Sequence, residues 1–381
     1  MQRSAFCFRP SFAILTVAGL LAGGCGDDTT EASSDSGDVN ISGSQGGDAS
    51  AGGGATQAST GEWVDAGDNI RIAILGHKVA GEAGGMMMKD DQRAVAVRLQ
   101  IANTGDSIAQ PGLKPVKLVA GGEQHGMGMG SAAAMVAFQD DDISALPSVT
   151  KLLPGQVIEG WTSFAPADGS TDDMAVLIGK GGNPMRALDD NQVAARIKLG
   201  SPSDGSPLGT ESSLKATHAL GDTLTGGASD VTVLSAGRAE NAKQVEEGNV
   251  VYVADVRLTN KLDKTSKVND LVSVGSMVYL IDGEGHVYQP GMVGMLVDLP
   301  RIEAESNSPD DQMKAILNNG MRMASWPQEI EAGQTVEGKV AFEVPEGTTG
   351  LMLAIDSGLG YSVIREFAKV AETPVGVWPV E

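Results

Sequence analysis

Cysteine is nearly missing from this chain: Cys7 and Cys25 are the two among 381 residues. That excludes a disulfide-stapled scaffold. Histidine is almost as scarce, with His77, His125, His218 and His286, and aromatic residues make up 4%. Basic residues are outnumbered: 27 Lys and Arg stand against 49 Asp and Glu, for a net charge of −22. With no basic surplus to neutralise phosphates, nucleic acid is not an expected partner. Long apolar runs are missing too. One stretch free of charge, residues 12–22 (FAILTVAGLLA), is 11 residues long. A spanning helix needs about 20, so a multi-span membrane protein is excluded. The chain also lacks G-x-S-x-G, H-E-x-x-H, a Walker loop, and G-x-G-x-x-G between a strand and a helix. With both cysteines spoken for (below), no thiol remains for catalysis. The expectation is no enzyme and no cofactor.

The N-terminus reads as an address. Arg3 and Arg9 precede the short apolar core, and small residues follow it. That is the layout of a secretory signal peptide. It ends in Leu21-Ala22-Gly23-Gly24-Cys25, which resembles the lipobox of bacterial lipoproteins. The resemblance implies cleavage between Gly24 and Cys25, diacylglycerol on the Cys25 sulfur, and an acylated new amino terminus. Residues 1–24 are then signal peptide, and two or three acyl chains suffice for stable anchoring. Gly26 stands where an aspartate retains some lipoproteins in the inner membrane. The expected location is therefore the cell membrane or the outer membrane, on the extracytoplasmic side.

Residues 25–61 hold no aromatic residue, and Val39 and Ile41 are the bulky apolar ones between Gly26 and Gly61. Such a segment cannot bury enough surface to offset its ordering entropy. It is expected to be a disordered Gly/Ser/Asp-rich tether, spanning roughly 30–36 Å as a flexible coil.

The remainder repeats itself. Residues 94–103 (AVAVRLQIAN) match residues 251–260 (VYVADVRLTN), 157 positions later. Gly122-Glu123-Gln124-His125 matches Gly283-Glu284-Gly285-His286 at an offset of 161. Residues 153–164, containing Gly155-Gln156 and Glu159-Gly160, match residues 331–342 at an offset of 178. Matching blocks in one order, with growing offsets, mean a duplicated domain with insertions in the second copy. Each copy alternates with period two: Ile70, Ile72 and Ile74; Val95, Val97, Leu99 and Ile101; Val231 and Val233; Val256 and Leu258. Such runs, punctuated by Gly, Asp, Asn and Pro, describe half-buried strands in two-sheet sandwiches. The fold class is all-β.

The strands ending at Asn103 and Asn260, the Gly-Glu hairpins, and the G-Q-x-x-E-G strands running to Phe164 and Phe342 carry a resemblance. Each copy is similar to an immunoglobulin-like domain of unknown function found in bacterial lipoproteins and secreted antigens, the immunoprotective extracellular superfamily. The resemblance implies two tandem immunoglobulin-like β-sandwiches, at 62–200 and 214–370, and no enzymatic activity. Residues 201–213 form the linker and 371–381 a C-terminal tail. The second copy carries extra residues near 300–325, where Ser308, Pro309, Asp310 and Asp311 open a helix expected over 309–318 and Gly320 stops it.

Two groups of residues are candidates for binding. His125, Met127 and Met129 form an H-x-M-x-M loop, and Met86, Met87 and Met88 form a second methionine group, among 16 methionines in all. Thioethers and an imidazole suit Cu(I); the other reading is that methionine fills gaps where aromatics are scarce. Met321, Met323 and Trp326, beside the insertion, are a candidate surface for an envelope partner. Asp140, Asp141 and Asp142 lack Ca²⁺-loop spacing and read as a solvated turn. His125 and His286 are expected at equivalent turn positions. The sequence thus describes a non-enzymatic, membrane-anchored binding or structural protein of the cell envelope, with a copper-binding envelope protein as the alternative.

Overall fold

The alternating isoleucines set the first sheet. Ile70, Ile72 and Ile74 are completely buried on one face of a long strand, opposite Asn103, Ile101 and Leu99 of the next. The computed structural model describes residues 55–381, apart from 84–87, 112–113, 127–133, 139–140, 142, 148, 182–185, 209–213, 244, 269–270, 300–307, 309–322, 328 and 362–365. Within that range the protein is an all-β sandwich fold with short helical turns.

In the first half run β1 (Thr56–Ala58), β2 (Trp63–Gly67), β3 (Ile70–Ala83), β4 (Arg93–Asn103), β5 (Val116–Ala120), β6 (Glu123–His125), β7 (Val157–Phe164), β8 (Ala175–Gly179) and β9 (Val193–Lys198). The second half holds β10 (Thr223–Leu224), β11 (Ser229–Arg238), β12 (Asn249–Asn260), β13 (Ser266–Lys267), β14 (Val278–Ile281), β15 (Val287–Tyr288), β16 (Glu329–Ile330), β17 (Thr335–Pro345), β18 (Met352–Asp356) and β19 (Val375–Pro379). One sheet of each half is ordered β2-β3-β4-β7 or β10-β11-β12-β17. The facing sheets are β1-β9-β8-β5-β6 and β15-β14-β18-β19. No described strand of one half enters a sheet of the other. Strands β11, β12 and β17 take the places of A, B and E in an immunoglobulin sandwich. C and its extra neighbour, F and G are β14, β15, β18 and β19. The duplication extends to irregularities: β3 shifts register between Ile74 and Gly76, and β11 between Val233 and Ser235.

The repeated G-Q-x-x-E-G segment has a physical reason at each fixed position. Gly155 and Gly333 have φ of 73° and 72°, a region that glycine enters without strain. The Gln156 and Gln334 Oε1 atoms accept the backbone N–H of Leu153 and Glu331, at 2.8 and 2.9 Å. Glu159 reaches across to Arg98 Nε at 3.0 Å, and Glu337 to Arg257 Nε at 2.8 Å. At Gly160 an added Cβ would lie 2.5 Å from Leu146 Cα, and at Gly338 it would lie 2.6 Å from Trp326 N. Both glycines let an edge segment pack against the strand.

Three expectations need correction. The end of the expected tether is part of the fold, because β1 pairs in parallel with β9 and Gly61 N–H donates to Ile74 O at 2.8 Å. The expected tail holds β19, whose Trp378 is fully buried. The first part of the linker is strapped to the first domain: Ser203 N–H bonds His77 O, and the Gln100 side chain exchanges hydrogen bonds with the Leu208 backbone. Gly76 and Gly205 make room for that strap, since a Cβ on either would meet backbone at 2.2 or 2.1 Å. Helices form at Leu271–Met277, Val293–Leu296 and Phe367–Glu372, none of them expected, while 309–318 lies outside the described residues. Val293 and Leu296 cover Val251 and Ala341 on the outer face of the second domain's first sheet.

The two sandwiches share a core. Tyr279, Ile281, Ala354, Val375 and Val377 of the second domain join the apolar cluster of the first, which includes Val149, Leu152 and Leu153. At this joint Tyr279 Oη donates to Lys151 O at 3.2 Å, and Gln110 Nε2 donates to Ala371 O at 3.3 Å.

Candidate functional site

The loop from β14 to β15 is closed by one carboxylate. Asp282 begins an Asp-Gly turn and its side chain accepts four hydrogen bonds. Oδ1 takes the backbone N–H groups of Glu284 and His286, both at 2.9 Å. Oδ2 takes His286 Nδ1–H at 2.9 Å and the Tyr288 hydroxyl at 3.0 Å. Aspartate is suited to this because its short side chain reaches its own downstream backbone. Burial pushes the Asp282 carboxyl up, but the imidazole, the backbone N–H and the phenol outweigh it and hold it below the usual carboxylate range. The hydrogen bond to Asp282 raises the His286 imidazole in turn, against the opposing effect of burial. Burial and the negative charge of Asp282 push the Tyr288 phenol up to about 12.

These side chains form one wall of a cleft of about 250 Å³. The other wall is the turn after β17, with Pro345, Gly347, Thr348 and Thr349. Thr348 Oγ1 donates to Pro345 O at 2.7 Å, and Gly283 N–H donates to Thr349 O at 3.0 Å, so the two turns are tied together. The His286 imidazole, drawn toward its charged form by Asp282, the Tyr288 hydroxyl and the exposed Glu284 carboxylate face a small polar space. The arrangement offers hydrogen bonds and charge of both signs to a small polar group or a peptide edge.

His125 and His286 are not equivalent. Leu118 faces Val176 on one side and His125 on the other, while Leu280 faces Leu353 and Tyr288. Strand register therefore matches His125 with Tyr288. His286 belongs to a loop one residue longer than the Gly121-Gly122 turn, and that extra residue hides the shift in a sequence comparison. Asp282 was missed for the same reason, although its Asp-Gly pair is a turn signal.

Of the proposed copper ligands, His125 and Met88 are described; Met86, Met87, Met127 and Met129 lie outside the described residues. Met88 packs against Ala94, Ala96, Met135, Phe138 and Trp161, on the outer face of the first sheet. His125 sits on the other sheet, at the edge strand β6. The structure does not bring these two together. For the candidate partner surface, Met321 lies outside the described residues. Met323 is 9% exposed and Trp326 is fully buried, with its indole N–H donating to Val268 O at 3.1 Å. Trp326 and Met323 are thus core of the second domain, and the expectation of a surface there is corrected. Gly24 and Cys25 precede the described residues.

Comparisons with known proteins return distant likenesses. No family model and no curated protein matches the chain. Among solved structures, the yjhA protein from Bacillus subtilis is 15% identical over 43% of this chain and all of its own, with a TM-score of 0.29. A conserved hypothetical protein from Bacillus anthracis is 13% identical over 32% of this chain and 88% of its own, with a TM-score of 0.25. The partial N-terminal region of an enterococcal surface protein is 9% identical over 81% of this chain and 94% of its own, with a TM-score of 0.15. Two are bacterial proteins of no stated activity, and the third is a surface protein.

Proposed function

We propose that the chain is a lipid-anchored, extracytoplasmic protein whose two immunoglobulin-like domains form a non-enzymatic binding module of the cell envelope. The observation that carries the binding reading is the saturation of Asp282. A carboxylate that accepts four hydrogen bonds holds a turn in shape and has no lone pair left for moving a substrate's proton. The cleft it builds is rigid and polar, which suits recognition. Anchoring through Cys25 is supported by the Leu-Ala-Gly-Gly-Cys sequence and by the acidic segment before β1, which would lift the domains off the headgroups. The partners of this reading are the membrane, through the lipid, and an envelope component at the cleft.

Detergent phase partitioning tests the anchor. The native protein should enter the detergent phase and the Cys25→Ser variant the aqueous phase. A variant that stays with the detergent overturns the assignment. In cross-linking of intact cells, a photoreactive group at Thr349 should capture an envelope component, and Tyr288→Ala should reduce that capture.

A second reading, copper binding, is favoured by one observation. His125 Nε2 is shielded from solvent and has no hydrogen-bond partner among the described residues. A shielded imidazole nitrogen without a partner is able to take a metal when it is the unprotonated nitrogen of the ring. Cu(I) titration under reducing conditions, with His125→Ala as control, separates the two readings.

A further inference from the structure

The first domain sends one lysine into the joint. Lys151 Nζ stands 2.9 Å from Asp356 Oδ2, and both side chains are 1% exposed. Charges withdrawn this far from water lose hydration that their mutual attraction does not fully return. Burial accordingly pushes the Lys151 amine down and the Asp356 carboxyl up, each toward its neutral form. In those forms an amine and a carboxylic acid are a nucleophile and an acyl group, here in contact at 2.9 Å.

The neighbours are arranged for a reaction between them. Asp356 Oδ1 accepts the Gly358 N–H at 2.8 Å and the Thr373 hydroxyl at 2.5 Å. Two donors on one oxygen are what a developing oxyanion requires. Lys151 Nζ donates to Thr373 O and, at 2.9 Å, to Thr373 Oγ1. The Thr373 hydroxyl therefore touches both groups: it accepts from the amine and donates to Oδ1, holding the nucleophile against the carboxyl. Asp356 Oδ2 is the oxygen nearest the amine, which faces it at 2.9 Å.

We propose that Lys151 and Asp356 condense to an isopeptide bond that joins the two domains covalently. Nζ adds to the Asp356 carboxyl carbon, Oδ1 carries the developing charge between Gly358 and Thr373, and the bond from carbon to Oδ2 breaks. The carboxyl OH leaves with one amine hydrogen as water, so an amine and an acid give an amide and water, with no oxidant or reductant. Holding two groups in contact raises their effective concentration to about 10⁵–10⁸ M in favourable cases. The dry joint also excludes the water that would reverse the step.

The duplication shows that the pair is particular to this joint. Strand register places Gly179 of the first domain where the second has Asp356. The 178-residue offset places Glu329 of the second where the first has Lys151. Neither domain carries the pair alone.

Tryptic digestion of the denatured full-length protein, followed by mass spectrometry, tests the proposal. The expected result is a branched peptide joining the segments around Lys151 and Asp356, lighter than their sum by one water and uncleaved after Lys151. Lys151→Arg and Asp356→Ala should each abolish it, and Thr373→Val should lower its yield while leaving Lys151 and Asp356 in place. Cleavage after Lys151 with full recovery of both linear peptides from the native protein would overturn the proposal. A branched peptide at a different lysine would overturn the assignment to this pair.

Discussion

Asn103 and Asn260, which end matching strands in the two domains, make the same three side-chain hydrogen bonds. Each Nδ2 donates to the carbonyl four residues ahead, Ser107 O at 2.7 Å and Lys264 O at 2.9 Å. Each also donates across to the returning chain, to Leu152 O and Ile330 O, both at 2.9 Å. Each Oδ1 accepts the N–H two residues ahead, from Gly105 at 3.0 Å and Leu262 at 2.9 Å. One buried side chain thus pins the turn after its strand to the corner that leads into β7 or β17.

Asn103→Ala and Asn260→Ala should therefore cost similar amounts, about 2 kcal/mol each, from backbone groups left without partners. Asn→Asp should be no better, since it keeps the acceptor but loses both donors. Urea titration followed by tryptophan fluorescence measures this. A cost confined to one domain would mean the duplicated corner is not equally important in both copies.

The close approach at the edge of each first sheet gives a second test. Gly160→Ala and Gly338→Ala would press a methyl group into Leu146 Cα and Trp326 N, at 2.5 and 2.6 Å. Main chain cannot yield as a side-chain tip does, so each should lose about 1–3 kcal/mol. Gly169→Ala has nothing within 4 Å and should be neutral within about 0.5 kcal/mol. Equal stability of all three variants would show that the edge segments move freely.

Strand-level features were legible because period two is a direct consequence of burying one face. Val97, Leu99, Ile101, Phe164, Val256, Leu258 and Phe342 are all buried, as the alternation implies. The boundaries were less legible. Val375, Val377 and Trp378 follow a proline and look like a tail, yet they complete the second sheet of the second domain. The site was less legible still. Asp282 functions through a loop one residue longer than its counterpart, and a length change of one is invisible when four residues (Gly-Glu-x-His) align so well. Lys151 and Asp356 carry no local signal, because they meet through a domain packing that no sequence period encodes.

Trp326 shows the opposite error. Beside methionines in an inserted segment it reads as exposed, but its indole fills the second core, alongside Val268, Ile330 and Val340. Trp326→Ala should cost about 3–5 kcal/mol through the cavity and the stranded Val268 carbonyl. Trp326→Phe should recover most of the apolar part and leave the hydrogen bond missing. Thermal unfolding followed by circular dichroism checks both; a neutral Trp326→Ala would return this residue to the surface.

His286 gives the cleft a pH signature whose direction follows from its partners. Its imidazole is raised above the ordinary value of 6.5 by Asp282, so its contribution to stability is fully present below 6.5 and is lost as pH rises through the raised value. Asp282 is depressed below the ordinary carboxyl value of 3.8, so its contribution is present above 3.8 and is lost as pH falls through the depressed value. The pair stabilises the second domain most between those limits. His286→Gln removes the positive charge, so the stability gap between native protein and variant should be widest below pH 6.5 and narrow as pH rises through the raised value. Asp282→Asn should lower the imidazole: without that carboxylate, burial is opposed only by the weaker pull of Glu284 and Glu159, and the NMR titration midpoint of His286 should fall. A midpoint unmoved by Asp282→Asn would show that the hydrogen bond at 2.9 Å does not govern the imidazole, and the turn would then be held by the backbone contacts of Asp282 alone.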